Sequence, residues 1–261
     1  FVLYTVRFLC RGESEVLKRN RKNKNLTIAK KEPSLWRKIE EIKNPERVVV
    51  VGAGPAGLFS AYYLSLCGYS PIVIERGAKM EERHDDILKF WQEGVLKPDS
   101  NVAFGEGGAG TFSDGKLNTL VKDPMGRNHK VLEIFVANGA SEEILYRNKP
   151  HIGTDVLAKV VKNMRKKILA NGGNVHFYSQ VTDFTFENGK ITGLTVTDTR
   201  DRKEYRLDAE TIVLAIGHSA RDTFQVLNDK QVPMEAKAFA VGIRMEHPQE
   251  MIDLAQYGQK R

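Results

Sequence analysis

Cysteine is nearly absent. Cys10 and Cys67 are the two in 261 residues, and they form no C-x-x-C pair. That excludes a disulfide framework and a dithiol relay, and leaves Cys67 as a small core residue. Long apolar runs are absent too, since every apolar segment is broken by glycine or charge before it reaches the length of a bilayer span. The first ten residues, "FVLYTVRFLC", alternate too well with polar positions to read as a signal peptide and lack a small-residue cleavage site. No membrane association and a cytoplasmic location are therefore expected. Of the six histidines, His151, His218 and His247 are the ones to weigh, and none pairs with Cys, His or an acid at metal-ligand spacing. No metal site is expected, and without a G-x-S-x-G or a nucleophile-base set hydrolase chemistry is disfavoured.

Acid is missing from one stretch in particular. Residues 18 to 31, "KRNRKNKNLTIAKK", hold seven basic residues and no Asp or Glu. Residues 1 to 47 contain 13 Lys/Arg against 6 Asp/Glu, and the remainder of the chain has 27 of each, so the whole net charge of +7 lies in this arm. Such a cluster suits a weak anionic partner, nucleic acid included. It has almost no aromatics for base stacking, which favours a solvated surface.

What is present starts with "VVVVGAGPAGLFSAYYLSLCGYSPIVIER", residues 48 to 76. Four valines suit a strand buried on both faces of a parallel sheet. Gly52 lets the chain leave the strand, Gly54 lets the backbone approach a pyrophosphate, and Gly57 lets the next helix pack on the sheet. Ala53 and Ala56 keep the turn bare, and Pro55 fits the first helical turn, where its missing N–H costs nothing. "PIVIE" is a second strand, and its last residue, Glu75, stands eighteen positions after Gly57. An acid there can take the hydroxyls of an adenosine ribose and would repel a 2′-phosphate, leaving FAD or NAD as the ligand. Arg76 next to it is a planar cation suited to an adenine face.

Further elements follow by periodicity. "FVLYTVRFLC" and "LTIAKK" read as strands and "SEVLKRNRK" as a short helix, an α/β appendage ending in a connector. "AKMEERHDDILKFWQEG" is helical with Ile87, Leu88 and Trp91 on its apolar side. A helix is expected over about 128 to 138, carrying Val131, Leu132, Phe135 and Val136. Thr154 or Asp155 should cap the helix "VLAKVVKNMRKKIL", which "NGG" ends. A β-hairpin should turn at "ENGK", and "EYRLDAETIVLAIG" should hold an edge strand and a buried run, Ile212 to Ile216. Between the helix "AKMEERHDDILKFWQEG" and the helix at about 128 lies "NVAFGEGGAGTFSDGKLNT", with five glycines between 105 and 115. Main-chain amides of Gly107, Gly108, Ala109 and Gly110, with Thr111 following, can form a concave anion site.

A β-meander after the third long helix, followed by Ala215-Ile216-Gly217 at the end of a strand, resembles the two-dinucleotide-binding-domain flavoproteins. At "FGEGGAGTFSDGKLNT", "KPHIGTD", "AIGHSARDTF" and "FAVGIRMEHPQEMIDLAQYG" the chain resembles, more narrowly, a bacterial family of uncharacterised FAD-dependent dehydrogenases, the NAD(FAD)-utilising dehydrogenases. The likeness runs from about residue 45 to 261. It implies an α/β fold, a Rossmann-like FAD-binding domain with a parallel sheet, a β-meander insertion and a small N-terminal α/β appendage. It implies FAD as cofactor, with NAD(P)H as electron donor, and an oxidoreductase whose substrate it does not supply. Val181 falls where such flavoproteins hold adenine by a strand backbone, Ala215 and Gly217 fall in the terminal-strand motif, and Asp114 and Lys116 are placed to meet the ribityl chain and the charge near flavin N1. His218, directly after Gly217, is placed for proton donation. The family's C-terminal glycine-aspartate segment is not found, so a truncated piece is expected: 1 to 45 the basic appendage, 46 to 235 the nucleotide-binding domain, 236 to 261 the start of a substrate domain.

Overall fold

The computed structural model describes residues 6, 10–29, 47–112, 115, 117, 122–147, 149–239, 241–243 and 245–259. Its contacts divide the chain into two units, Phe1–Val226 and Leu227–Arg261.

The expected strand-turn-helix-strand is there. β1 is Val48–Val51, buried at all four positions. The helix α2 covers Pro55–Leu66 and β2 covers Ile72–Ile74. Before them, α1 is Glu13–Arg19, starting one residue before the expected short helix over 14 to 22 and ending three residues short of it. The expected strand at the N-terminus lies mostly outside the described residues. That at "LTIAKK" does not form over 26–29, where Ile28 is exposed and no neighbouring strand offers a ladder among the described residues.

After β2 come α3 (Met80–Glu93), α4 (Arg127–Ala137) and α5 (Thr154–Ala170), then β3 (Asn174–His176). In α5 Leu157, Val160, Val161, Met164 and Ile168 recur every three or four residues and are buried. They meet Leu58, Ala61 and Tyr62 of α2 in one apolar cluster over the sheet, the buried Leu, Val, Ile and Met side chains each contributing about 1.5–3 kcal/mol. The cap of α5 is Gly153, not Thr154 or Asp155. A Cβ on Gly153 would come 2.6 Å from an Asp155 carboxylate oxygen, so the acid folds back over the cap. In α4 only Ile134 is fully buried, and Phe135 packs edge-on to Phe59 with centroids 5.3 Å apart. In α3 Ile87 is buried, but Trp91 is 58% exposed; the inner face is made instead by Met80, Arg83, Asp86 and Ile87.

The hairpin forms from β4 (Ser179–Glu187) and β5 (Lys190–Asp198). Asn188 and Gly189 both have positive φ, 50° and 75°, the backbone of a two-residue type I′ turn. With β6 (Glu204–Asp208) they make a three-stranded antiparallel sheet, and β7 (Thr211–Leu214) returns to the first sheet. That sheet is parallel with order β3-β2-β1-β7. In it Val51 faces Ile74 on one side and Leu214 on the other. The run Ile212 to Ile216 is half-buried rather than buried, with Leu214 44% exposed. The reason is topological: β7 is the outer strand of the sheet among the described residues.

The second unit holds the end of α6 (Arg221–Asp229) and α7 (Gln249–Tyr257), in which the Gln249 amide donates to Asp253 Oδ1 at 2.7 Å.

Candidate functional site: a cleft at the end of the parallel strands

In the order β3-β2-β1-β7 the chain goes one way from β1 to β2 and β3, and the other way to β7. Such a reversal leaves a crevice beyond the carboxyl ends of the central strands, the place where open α/β sheets take ligands. The structure has a small cleft there, with about 40 Å³ of interior space and open to solvent. Val51 and Gly52 at the end of β1, Ile74 to Arg76 at the end of β2 and Ile216 beyond β7 line it. Phe104, Ser179, Val181 and Thr223 close its sides.

Two glycines of the first turn are dictated by close approach. Gly52 has φ +101°, its N–H donates to Ile74 O at 2.8 Å, and a Cβ there would overlap the Ala215 carbonyl. A Cβ on Gly57 would overlap the Gly52 carbonyl. The expected roles of Gly52 in leaving the strand and of Gly57 in packing the helix thus have a steric basis. Gly54 is the N-cap of α2, Pro55 its first residue, and no side chain caps the helix. Its first-turn amides, including those of Ala56 and Gly57, therefore have no side-chain acceptor, which is how a helix start takes an anion.

Glu75 is 4% exposed, and its carboxylate is held by main chain on three sides. Oε2 accepts from Ala53 N–H at 2.7 Å, and Oε1 accepts from Gly77 N–H and Gly105 N–H, both at 2.9 Å. The acid is thus a clamp joining the glycine turn, the end of β2 and the second glycine loop, as well as a wall of the cleft. Arg76 is no loose surface cation. Its guanidinium lies 4.4 Å over the Phe104 ring and its Nη2 donates to both Asp222 oxygens at 2.9 and 2.7 Å. Gln180 also donates to Asp222, at 2.6 Å. Burial acts to raise the Asp222 carboxyl, but Arg76, the Thr223 amide and Gln180 together outweigh it, so it sits below the ordinary range.

The second glycine loop packs on the first. A Cβ on Gly108 would stand 2.9 Å from Pro55 Cδ and 3.1 Å from Gly54 Cα. Its amides correct one expectation: Gly107 N–H donates to Ala53 O at 2.8 Å and Gly108 N–H to Gly105 O at 3.0 Å. Those two are committed within the protein, so Gly107 to Gly110 do not form a continuous amide nest. Ala109 and Gly110 are exposed at the start of a short 3₁₀ turn, Ala109–Phe112. Thr111 in that turn is buried, and its hydroxyl has no partner. Asp114 and Lys116 lie outside the described residues.

Two buried charges hold this loop, and neither is among the expected site residues. Arg83 of α3 is fully buried and donates to three carbonyls, Asn101 O at 3.0 Å, Val102 O at 3.0 Å and Glu106 O at 2.6 Å. Burial lowers its pKa to about 10, with the charges of Glu75 and Glu106 holding it up. Glu106 is also fully buried. Its Oε2 accepts from Met80 N–H at 2.7 Å, while Oε1 stands 3.3 Å from Arg165 Nε but out of line for a hydrogen bond. Burial pushes this carboxyl up to about 7, against the Met80 amide and the Arg165 charge. A signal for Arg83 was in the sequence: it sits three residues after Met80 and four before Ile87, on the apolar stripe of α3. Glu106 and Asp222 carried no such mark.

Of the remaining expected residues, Val181 is buried and lines the cleft, and Ala215 N–H donates to Val51 O at 2.8 Å. Gly217 is exposed with φ +72° and open space where a Cβ would stand. His218 is exposed, 3.4 Å from Ser219 Oγ, and is not among the residues lining the cleft. His151 is exposed beside the strand-like pairing of Ile152 N–H with Gly115 O at 2.8 Å, and His247 lies in the second unit. Among the described residues no cluster of three His, Cys, Asp or Glu could hold a metal, and no helix is long and apolar enough to cross a membrane. Cys10 and Cys67 are free and half-buried.

These features fit the adenosine diphosphate part of a dinucleotide: an uncapped helix start, glycines where a Cβ would collide, and a carboxylate in the cleft wall.

No family model matches the chain. An uncharacterised protein of Clostridium beijerinckii is 45% identical over 258 residues, which is 98% of this chain and 46% of that protein. The chain thus spans about half the length of the curated relative it matches. Among solved structures, THI4 of Thermovibrio ammonificans is 21% identical with a TM-score of 0.47, over 72% of this chain and 64% of that one. Glycine oxidase of Bacillus cereus is 14% identical with a TM-score of 0.45, over 71% and 58%. A flavoprotein/dehydrogenase of Cytophaga hutchinsonii is 16% identical with a TM-score of 0.42, over 70% and 42%. All three scores lie below 0.5, and the fold rests on the strand order itself: an α/β protein with a Rossmann-like parallel sheet and a β-meander inserted between β3 and β7.

Proposed function

We propose that the chain binds the adenosine diphosphate half of FAD and belongs to an FAD-dependent oxidoreductase of the NAD(FAD)-utilising dehydrogenase family. The observation that carries this reading is the Glu75 carboxylate in the wall of a cleft at the reversal point of the sheet, next to an uncapped helix that begins with a glycine turn. The start of α2 holds the diphosphate by main-chain amides and the positive end of its dipole. A carboxylate offers about four acceptor positions, and three of those on Glu75 are taken by amides. What is left serves a ribose hydroxyl. A 2′-phosphate would meet this charge at close quarters, so an unphosphorylated ribose is preferred. Val181 holds adenine by its strand backbone, and Arg76, fixed by Phe104 and Asp222, borders the ring as a planar cation. Ala215 to Gly217 and the Ala109–Thr111 turn face the rest of the cofactor. When bound, the flavin supplies hydride transfer; the protein orients it and keeps water away.

The test is uptake of FAD by the purified chain, read as yellow flavin absorbance that stays with the protein on gel filtration, followed by anaerobic addition of NADH or NADPH. Retained flavin bleached by either nucleotide is the expected result, and identifies the donor. A colourless protein that takes up no added FAD overturns the cofactor reading.

A second reading has one observation in its favour, the excess of base over acid in residues 1 to 47. In it the chain is a regulatory or RNA-associated module with structural FAD, and the arm takes an anionic partner. Flavin that is bound but inert to both nicotinamides, with salt-dependent RNA retention on a filter, would select it.

A further inference from the structure

We propose that Glu106 is a proton-operated positioning residue that couples the second glycine loop to the nucleotide site, so that the site binds a nucleoside diphosphate more tightly when this buried carboxyl is neutral. The inference rests on the nucleotide reading above.

Glu106 has a poor environment for a charge. It is fully buried, and one carboxylate oxygen has no hydrogen bond. The nearest cation, Arg165 on α5, is already committed through its Nη2 to both oxygens of Glu81, at 2.9 and 3.1 Å, and turns only a misaligned Nε toward Glu106. Lys162 of α5 is likewise spent on Glu81. From α3, Glu81 opposes a charge on Glu106, and from the end of β2 Glu75 does the same. Arg83 uses its Nη1 on the carbonyl of Glu106, not on the carboxylate. Ionised, the side chain gains by moving toward Arg165 or water. Neutral, it keeps its Met80 bond and stays.

Residue 106 cannot move alone. Gly105 N–H is one of the three donors to Glu75, and Gly107 N–H holds the Ala53 carbonyl inside the first glycine turn. Displacing Glu106 pulls on both the clamp of the ribose acid and the turn that receives the diphosphate. A bound anion adds negative charge to the same neighbourhood and so favours the neutral carboxyl. By linkage, the neutral carboxyl favours the anion to the same degree.

The test uses ADP-ribose, whose diphosphate is esterified at both ends and so has no weakly acidic proton to titrate, over about pH 5.5 to about 8.5, above the ordinary carboxyl range. Its affinity for wild type and E106Q is measured by calorimetry across that range, beside hydrogen exchange of residues 105 to 112 in the ligand-free proteins, corrected for intrinsic rates. The wild type should lose about tenfold in affinity from the acid to the alkaline end. It should take up protons on binding and lose loop protection in the same interval. E106Q should be flat and tight in both measurements, and E106M serves if E106Q does not fold. Affinity that is flat in the wild type, or a slope that persists in the variant, overturns the coupling and leaves the nucleotide reading standing. Loop protection that follows pH in the wild type, with no ADP-ribose binding at any pH, overturns the nucleotide reading and with it the coupling.

Discussion

Replacing Glu75 by glutamine tests the clamp directly, because the change is nearly isosteric and removes only charge and one acceptor. Native Glu75 accepts three main-chain N–H bonds of 2.7 to 2.9 Å while 4% exposed. Hydrogen bonds to a buried charge are worth about 1.5–3 kcal/mol each, and neutral ones about 0.5–1.5. If the glutamine oxygen faces Gly77 and Gly105, those two bonds weaken by about half. Its NH₂ then faces the Ala53 N–H, leaving a buried donor unsatisfied at about 1–3 kcal/mol. The sum is about 3–5 kcal/mol. In a unit of this size each kcal/mol moves Tm by about 2–4 °C, so a fall of roughly 10 °C is expected. Thermal unfolding of ligand-free wild type and E75Q, followed by circular dichroism, reads it. A carboxylate that merely pointed into solvent to await a ribose would change stability by less than about 0.5 kcal/mol. A Tm within about 1 °C of wild type would therefore refute the clamp, whatever happens to nucleotide affinity.

Three further outcomes follow from the same geometry. G57A places a Cβ into the Gly52 carbonyl and should abolish soluble folded protein or cost more than about 3 kcal/mol, whereas G94A, with φ +70° and nothing within 4 Å of the new Cβ, should cost only about 1–2; equal urea midpoints for the two would refute this. R83K trades a three-carbonyl fork for a point charge and should lose about 2–4 kcal/mol together with hydrogen-exchange protection over residues 101 to 106, so unchanged protection would count against the fork. Glu106 has a folded-state pKa of about 7 against an ordinary 4.5. Between those values the native state holds more protons than the unfolded chain, so this group's contribution is full below about pH 4.5 and is lost as pH rises toward 7, by up to about 3 kcal/mol. E106Q should therefore gain on wild type in urea unfolding as pH is raised from about 5 to about 8; a constant difference would show that the native carboxyl is already charged.

How much of this was legible in the sequence divides by the reach of the interactions. The β1-α2-β2 unit, the hairpin turn at Asn188-Gly189 and the stripe of α5 are specified by residues within a few positions of one another, so periodicity and turn chemistry suffice. Other features are set by partners far along the chain. The acid at 75 stood out by its spacing from the glycine turn, but its clamp role depends on Ala53 and Gly105, twenty-two and thirty residues away. The second glycine run read as an anion nest because bare amides suggest one. Gly107 is instead bare because Thr111 occupies the space of its side chain, and its amide is spent on Ala53. The half-exposure of Ile212 to Ile216 follows from the place of β7 at the sheet's edge, which no local pattern encodes.

The pairing of the two glycine loops explains why the buried charges lie where they do. A loop with little side chain has little apolar surface with which to anchor itself, and residues 105 to 110 contain four glycines and one alanine. Their position against the first turn must then be held by directional bonds. Arg83 supplies three to main-chain carbonyls, Glu75 takes one amide, and Glu106 ties the loop to the start of α3. Burying such groups is costly unless each is satisfied. Arg83 and Glu75 are satisfied and Glu106 is not. The loop is thus held firmly at 105 and carries its one weak tie at the next residue, directly beside the Gly107 amide that grips the first glycine turn.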